Sequence, residues 1–115
     1  MVTARELRRL ALSLPETEER PHRGRPSFRV RGRMFATVQP RSKRAVLKLS
    51  PDEQAVLGQV QPNVFRHTLW GDQGWTSIEL QGVDPWLFEE LLVGAWRRLA
   101  SRRAVARWKA DRHRR

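Results

Sequence analysis

The pattern of apolar positions along the chain predicts an N-terminal helix followed by short strands. Residues 3–13 carry leucines at helical spacing and arginines on the opposite face, which is typical of an amphipathic helix that ends at Pro15. Thr3 with Glu6 three residues later matches a capping box, so the helix is expected to start there. Residues 16–22 are acidic and then basic, which indicates an edge strand or a solvated connector before a turn at residues 22–26.

Residues 25–50 predict antiparallel strands joined by hairpins, because runs rich in Val, Phe and Thr alternate with turn residues. The turns are expected at Arg31-Gly32 and at residues 40–44. A two-residue loop at the first turn places Phe28 opposite Phe35. A three-residue loop places Phe28 on the same face as Met34 instead. The two registers expose opposite faces, and the sequence leaves both open.

The second half of the chain predicts two further helices around one strand. Ser50 and Pro51 favour a helix start, and this helix should run to about residue 58 and bury residues 55–57. Residues 59–73 are expected to be a long connection, and residues 74–81 alternate as a strand. Asp84 and Pro85 begin the strongest helix, whose apolar stripe ends at Leu99. Residues 102–109 continue as a short helix, with a frayed basic tail at about 111–115.

Length and composition predict one domain, residues 1–115. The sequence contains five tryptophans and four phenylalanines, which is atypical of disordered chains. It contains no cysteine, which removes disulfides, thiolate nucleophiles and soft metal sites. No apolar run is long enough to span a bilayer. We therefore expect a cytoplasmic monomer without a membrane span.

The formal charge of +11 is unevenly distributed. Residues 97–115 contain nine Lys or Arg against one acid, whereas residues 1–96 contain fourteen against eleven. A field of this kind attracts nucleic acid, anionic membrane or acidic proteins without choosing among them.

Motifs for catalysis and metal binding do not stand out in the sequence. There is no glycine-rich phosphate loop, and the three histidines are isolated from other metal ligands. The sequence predicts no enzyme activity, no catalytic residues, no metal site and no cofactor.

Several segments, in order, resemble the MmcQ/YjbR-like family. Residues 12–16 are similar to its leucine-proline-glycine step, and residues 24–36 resemble its glycine-x-proline followed by a valine-x-glycine-lysine-x-phenylalanine-alanine hairpin. Residues 45–49, 74–75, 83–97 and 102–106 resemble its second half. Glu16 stands where the family usually has glycine, and Arg33 where it has lysine.

The resemblance implies an α+β fold of the CyaY-like type, in which an antiparallel sheet of consecutive hairpins packs against N- and C-terminal helices. This architecture is described as a double-wing DNA-binding fold, and it brings no established catalytic residues. The frataxin-like relatives of the fold bind iron through acidic surfaces. This basic chain lacks a comparable acidic face, so the iron-binding alternative is disfavoured.

The leading hypothesis is a nucleic-acid-binding protein of low sequence specificity, in which cations contact the phosphates of DNA or RNA. The alternatives are an adaptor domain with an acidic partner and a small-molecule-binding domain. The nucleic-acid hypothesis requires the hairpin tips and the last helix to form one continuous surface. The candidate phosphate contacts are Arg31, Arg33, Arg41, Lys43 and Arg44 at the tips, and Arg97, Arg98, Arg102, Arg103 and Arg107 on the helix.

The tryptophans are candidates for stacking on bases. Trp96 is expected in the core, because it lies on the apolar stripe of the strongest helix, and Trp86 lies on the same helix. Trp70 and Trp75 flank a turn-forming segment and are the two stacking candidates.

Overall fold

The computed structural model describes residues 1–68 and 73–113. Within them the chain forms helices and strands in the order α1 (Ala4–Ser13), β1 (Thr17–His22), β2 (Arg25–Val30), β3 (Arg33–Gln39), β4 (Arg44–Lys48), α2 (Pro51–Val60), β5 (Phe65–His67), β6 (Trp75–Glu79), α3 (Pro85–Leu99) and α4 (Arg102–His113).

The strands form one antiparallel sheet in the order β1-β2-β3-β4-β6-β5. Strands β1 to β4 are joined by consecutive hairpins, and α1 and α3 pack against the sheet. This confirms the predicted α+β class. It also resolves residues 16–22 as an edge strand, where Pro21 removes no hydrogen bond from the interior of the sheet.

Helix starts follow the predicted caps. Thr3 accepts a hydrogen bond from the Glu6 backbone N–H, Ser50 forms a complete capping box with Glu53, and the Asp84 carboxylate accepts from Leu87 N–H. These contacts satisfy amides that have no partner inside the helix.

The helices lie on one face of the sheet. Directly opposed residues of neighbouring strands share a face, and one such row runs Glu19, Phe28, Ala36, Leu47, Thr76. Arg8 of α1 bonds Glu19 at one end of the row, and Gln54 of α2 donates to Thr76 Oγ1 at the other. The apolar stripe of α3 covers the middle with Phe88, Leu91, Leu92, Ala95 and Trp96.

The β2–β3 hairpin has the two-residue loop, which is one of the two alternatives that the sequence left open, but not the full pairing expected from it. Val30 pairs with Arg33 across the turn, yet Phe28 pairs with Ala36 rather than with Phe35. Phe35 is the extra residue of a β-bulge, and both phenylalanines are fully buried. The bulge therefore lets two adjacent side chains of β3 enter the core.

Three other expectations about the elements need correction. Helix α2 continues to Val60, and Val56 is exposed while Gln54 is buried. The expected connection 59–73 contains strand β5, which is only three residues long. Helix α4 continues to His113, beyond the expected end at residue 109.

The two tryptophans of α3 occupy different environments. Trp96 is fully buried and its indole N–H donates to Pro15 O, which confirms its place in the core. Trp86 is 79% exposed in the first turn of the helix.

Glu16 lies in a turn that favours glycine. Thr17 N–H donates to Leu14 O, and Glu16, which follows Pro15, has φ +62°. Proline followed by a residue with positive φ is the arrangement of a type II turn, in which glycine is preferred at the residue after the proline. The turn explains why glycine is usual here in the family that the sequence resembles.

Candidate nucleic-acid interface

Each of the three hairpin tips holds a cation in the left-handed backbone region. Arg23 and Arg31 have φ +54° and precede glycines in two-residue loops, and Lys43 has φ +55° at the end of the loop 40–43. Two-residue loops with two positive φ angles favour Asn-Gly, because the left-handed region costs other residues about 1 kcal/mol or more. The tips therefore carry cations where the backbone would prefer asparagine.

The tips do not lie together. In a meander of antiparallel strands, successive turns fall at alternate ends, so the β1–β2 and β3–β4 tips share one end and the β2–β3 tip lies at the other. Arg41, Lys43 and Arg44 are consequently separated from Arg31 and Arg33 by the length of β3, roughly 23 Å for seven residues. The expectation that both tips form one continuous surface with the last helix is wrong for this topology.

The β2–β3 tip does meet the C-terminal helices. Arg31, Arg33 and Leu99 line one cleft, and Leu99 is the last residue of α3. The exposed side chains of this tip, of the last turn of α3 and of the first turn of α4 form what we call the tip–helix cluster. Its members are Arg31, Arg33, Arg97, Arg98, Arg102 and Arg103.

Two arginines at the end of α3 also have structural contacts. Arg98 donates to Lys48 O at 2.6 Å and to Glu53 Oε1 at 3.4 Å, so its guanidinium links α3 to the end of β4 and to the first turn of α2. The guanidinium of Arg97 lies 5.9 Å from the ring centre of Trp108. Arg97 therefore keeps more of its donors for a ligand than Arg98 does.

Helix α4 is attached to the core through Trp108. Its ring lies 6.0 Å from that of Trp96, with Ala104 buried one turn earlier, and the guanidinium of Arg112 lies 4.9 Å from it on α4 itself. Arg107 is exposed on the same helix, farther from the β2–β3 tip than Arg102. The helix therefore presents a row of cations on a packed support.

Arg44 is held against the sheet instead of projecting from a tip. Its Nε–H donates to Ser77 Oγ at 2.7 Å, and a terminal N–H donates to Ser77 O at 3.3 Å. Burial and, next, the charge of Arg66 lower the pKa of Arg44, while Glu79 opposes that shift. This cation therefore lies in a crowded, partly desolvated positive environment.

Of the two stacking candidates, Trp75 is half-buried on β6, and the Lys48 ammonium lies 5.6 Å from its ring centre. Trp70 lies outside the described residues.

The sequence analysis missed a second basic surface, on the sheet face opposite the helices. Alternation along the strands puts six cations there against two carboxylates, Glu18 and Glu79, and Glu18 already pairs with Arg20 at 3.0 Å. The alternation of side chains along β4 and β6 could have indicated this surface from the sequence. The face on which the cations of β2 lie could not be predicted, because it depends on the bulge. The cations of this face are Arg20, Arg25, Arg29, Arg44, Lys48 and Arg66.

Across residues 1–68 and 73–113, no group of three or more histidine and carboxylate side chains is placed to hold a metal ion. Within the same residues, no helix is both long and apolar enough to cross a membrane.

Comparison with known proteins agrees with the fold. The YjbR family model matches residues 12–98. The crystal structure of the Deinococcus radiodurans protein DR2400, with domain DUF419, superposes with a TM-score of 0.75 at 27% identity, covering 84% of this chain and 77% of that one. No protein of curated function matches the chain. Because the family match spans most of the sequence and the fold agrees, the chain belongs to the YjbR family.

Proposed function

We propose that this protein binds nucleic acid through phosphate contacts at the tip–helix cluster, without reading base sequence. The observation that carries the proposal is the approach of the β2–β3 tip to the end of α3, where Arg31 and Arg33 line a cleft with Leu99. Arginine side chains from three elements are thereby collected at one end of the molecule. Each guanidinium binds phosphate oxygens in a bidentate fork. Several guanidinium groups at one end of the molecule can contact the same nucleic acid together, which scattered groups cannot do.

The backbone of the tip supports a functional role for its cation. Arg31 occupies a left-handed position that costs a non-glycine residue about 1 kcal/mol or more. Strained backbone positions are concentrated at functional sites, and of the strained tip residues Arg23, Arg31 and Lys43, Arg31 is the one at the tip that meets the end of α3. The duplex is the expected ligand, because a projecting hairpin and a helix terminus can follow phosphates along a groove edge.

The proposal is tested by two charge reversals at opposite ends of β3. The first is Arg31→Glu with Arg33→Glu, and the second is Arg41→Glu with Lys43→Glu. Each pair changes the net charge equally and includes one left-handed residue, since Arg31 has φ +54° and Lys43 has φ +55°.

Binding of a labelled DNA duplex is measured by fluorescence anisotropy over a range of salt concentrations. The wild-type affinity should fall steeply with salt, and the first pair should lower affinity at least about tenfold and reduce the salt slope by about 2. The second pair should change affinity less than about threefold. Equal losses from both pairs would show that the cluster is no specific site, and no wild-type binding at low salt would refute the function.

A further inference from the structure

The sheet face opposite the helices contains a trough of small side chains. One row of directly opposed residues crosses the whole sheet, with a cation at each end, Arg20 on β1 and Arg66 on β5. Between these cations the side chains are small, so they form a low floor. The floor consists of Ser27, Thr37, Val46 and Ser77.

Longer side chains line this trough on both sides. Arg25 and Arg44 stand on one side of the floor, and Arg29 and Lys48 stand on the other, four residues along the same strands. Four residues of extended chain span about 13 Å, which sets the separation of the two walls at their Cα atoms. Ser27 is fully buried, and its hydroxyl donates to Arg20 O at 2.6 Å.

The walls are short of carboxylate partners. Nε of Arg29 is shielded from solvent and has no hydrogen-bond partner among the described residues. Arg44 donates to Ser77 on the floor. Its burial and, next, the charge of Arg66 lower the pKa of Arg44. Glu18 lies opposite Arg29 and Glu79 opposite Arg44, so the face holds two carboxylates against six cations, and this excess of positive charge favours an anionic ligand.

An aromatic ring stands at one end of the wall that holds Lys48. Trp75 is opposite Lys48 on β6, with the ammonium 5.6 Å from the ring centre. A ring with a cation beside it suits a base and its phosphate together, since the base stacks while the cation contacts the backbone.

We propose that this trough binds an unpaired nucleic-acid strand lying across the sheet. The walls supply cations for phosphates, the floor of small side chains leaves room for the strand, and Trp75 supplies a stacking surface. The site does not suit groove recognition of a duplex, because the major groove, about 12 Å wide, admits a helix or a two-stranded ribbon and not the face of a six-stranded sheet. The trough faces away from the helices that carry most of the tip–helix cluster, and its wall of Arg29 and Lys48 lies at the same end of the sheet as that cluster, where Arg98 donates to Lys48 O.

The test compares two double variants that each remove two positive charges. Arg29→Gln with Lys48→Gln alters the walls of the trough, and Arg31→Gln with Arg33→Gln alters the tip–helix cluster. The probes are a labelled oligothymidine of about twelve nucleotides, a length within the site sizes of sheet-based single-strand binders, and a labelled duplex. Thermal unfolding confirms that each variant is folded.

The wall variant should lose at least about tenfold in oligothymidine affinity, with a salt slope lower by about 1.4, and change duplex affinity less than threefold. The Arg31/Arg33 variant should lose at least about tenfold in duplex affinity and change oligothymidine affinity less than about threefold. Trp75→Leu should weaken oligothymidine binding at least about fivefold, with little effect on the duplex.

Two results would overturn the inference. The first is equal loss of oligothymidine binding in both charge variants, and the second is an unchanged affinity in the wall variant and in Trp75→Leu. Duplex binding without any oligothymidine binding would refute the trough and leave the proposed function standing. Oligothymidine binding without duplex binding would refute the proposed function and leave the trough standing.

Discussion

The turn at the β2–β3 tip allows stability and binding to be changed in opposite directions. Arg31 has φ +54° and precedes Gly32 with φ +75° in a two-residue loop, a geometry that favours Asn-Gly. We therefore expect Arg31→Asn to stabilise the fold while weakening duplex binding. Arg23 has the same φ, the same following glycine and the same charge at the opposite end of the sheet, so Arg23→Asn is the matched control.

The expected gain follows from the backbone conformation. The left-handed region costs an ordinary residue about 1–2 kcal/mol, and asparagine recovers part of that because its side chain tolerates the region. A gain of about 0.5–1 kcal/mol is expected for each variant. Unfolding entropy near 2.1 cal/mol/K per residue over 115 residues converts this to a rise in Tm of about 2–4 °C. Among residues 1–68 and 73–113, the exposed Arg31 side chain forms no hydrogen bond or ion pair that would offset that gain.

Thermal and urea unfolding followed by circular dichroism measure the first effect, and duplex anisotropy at fixed low salt measures the second. Both variants should be more stable than wild type, and only Arg31→Asn should lose affinity, with a salt slope lower by about 1. If neither variant gains stability, the account of the turns is wrong. If Arg23→Asn loses as much affinity as Arg31→Asn, binding does not depend on which end of the sheet carries the charge.

Two further substitutions test the packing of the backbone. Glu16→Gly should raise the free energy of unfolding by about 0.5–1 kcal/mol, because φ +62° favours glycine, and an unchanged urea midpoint would contradict the type II turn. Gly74→Ala should destabilise by about 2–4 kcal/mol, since a Cβ there would collide with Leu49 O and φ is +89°. Gly58→Ala is its control: it has open space inside helix α2 and should gain up to about 1 kcal/mol, so a similar loss in both would exclude the steric explanation.

Local signals predicted the helices well, because caps act within one turn. Asp84 with Pro85, and Ser50 with Pro51, fixed both helix starts from neighbouring residues alone. The burial on α2 could not be predicted in this way. Gln54 is buried because Thr76 and the Trp75 carbonyl, distant in sequence, accept its amide hydrogens.

The missed features of the sheet depend on long-range pairing. Strand β5 has three residues, of which Arg66 and His67 are exposed, so it has no pattern of its own and exists through its pairing with β6. The bulge at Phe35 likewise adds one residue without a local turn signal. The placement of the tips, in contrast, could have been predicted from the sequence. Consecutive hairpins turn at alternate ends of a sheet, so the predicted strands already separate Arg31 from Arg41.

This alternation decides where a basic surface can form in a sheet of consecutive hairpins. Neighbouring tips are a strand length apart, whereas the β1–β2 and β3–β4 tips share an end, where Arg23, Arg25 and Arg41 line one cleft. The β2–β3 tip therefore gains further cations only when another element comes to meet it. Helices α3 and α4 do this at the β2–β3 tip, where Leu99 and Arg33 line one cleft. The face opposite the helices needs no such element. Strand pairing alone places Arg25 and Arg44 on one side of the floor and Arg29 and Lys48 on the other. One topology thus yields two basic surfaces of different shape, a projecting one, for which we propose a duplex, and a trough, for which we propose a single strand.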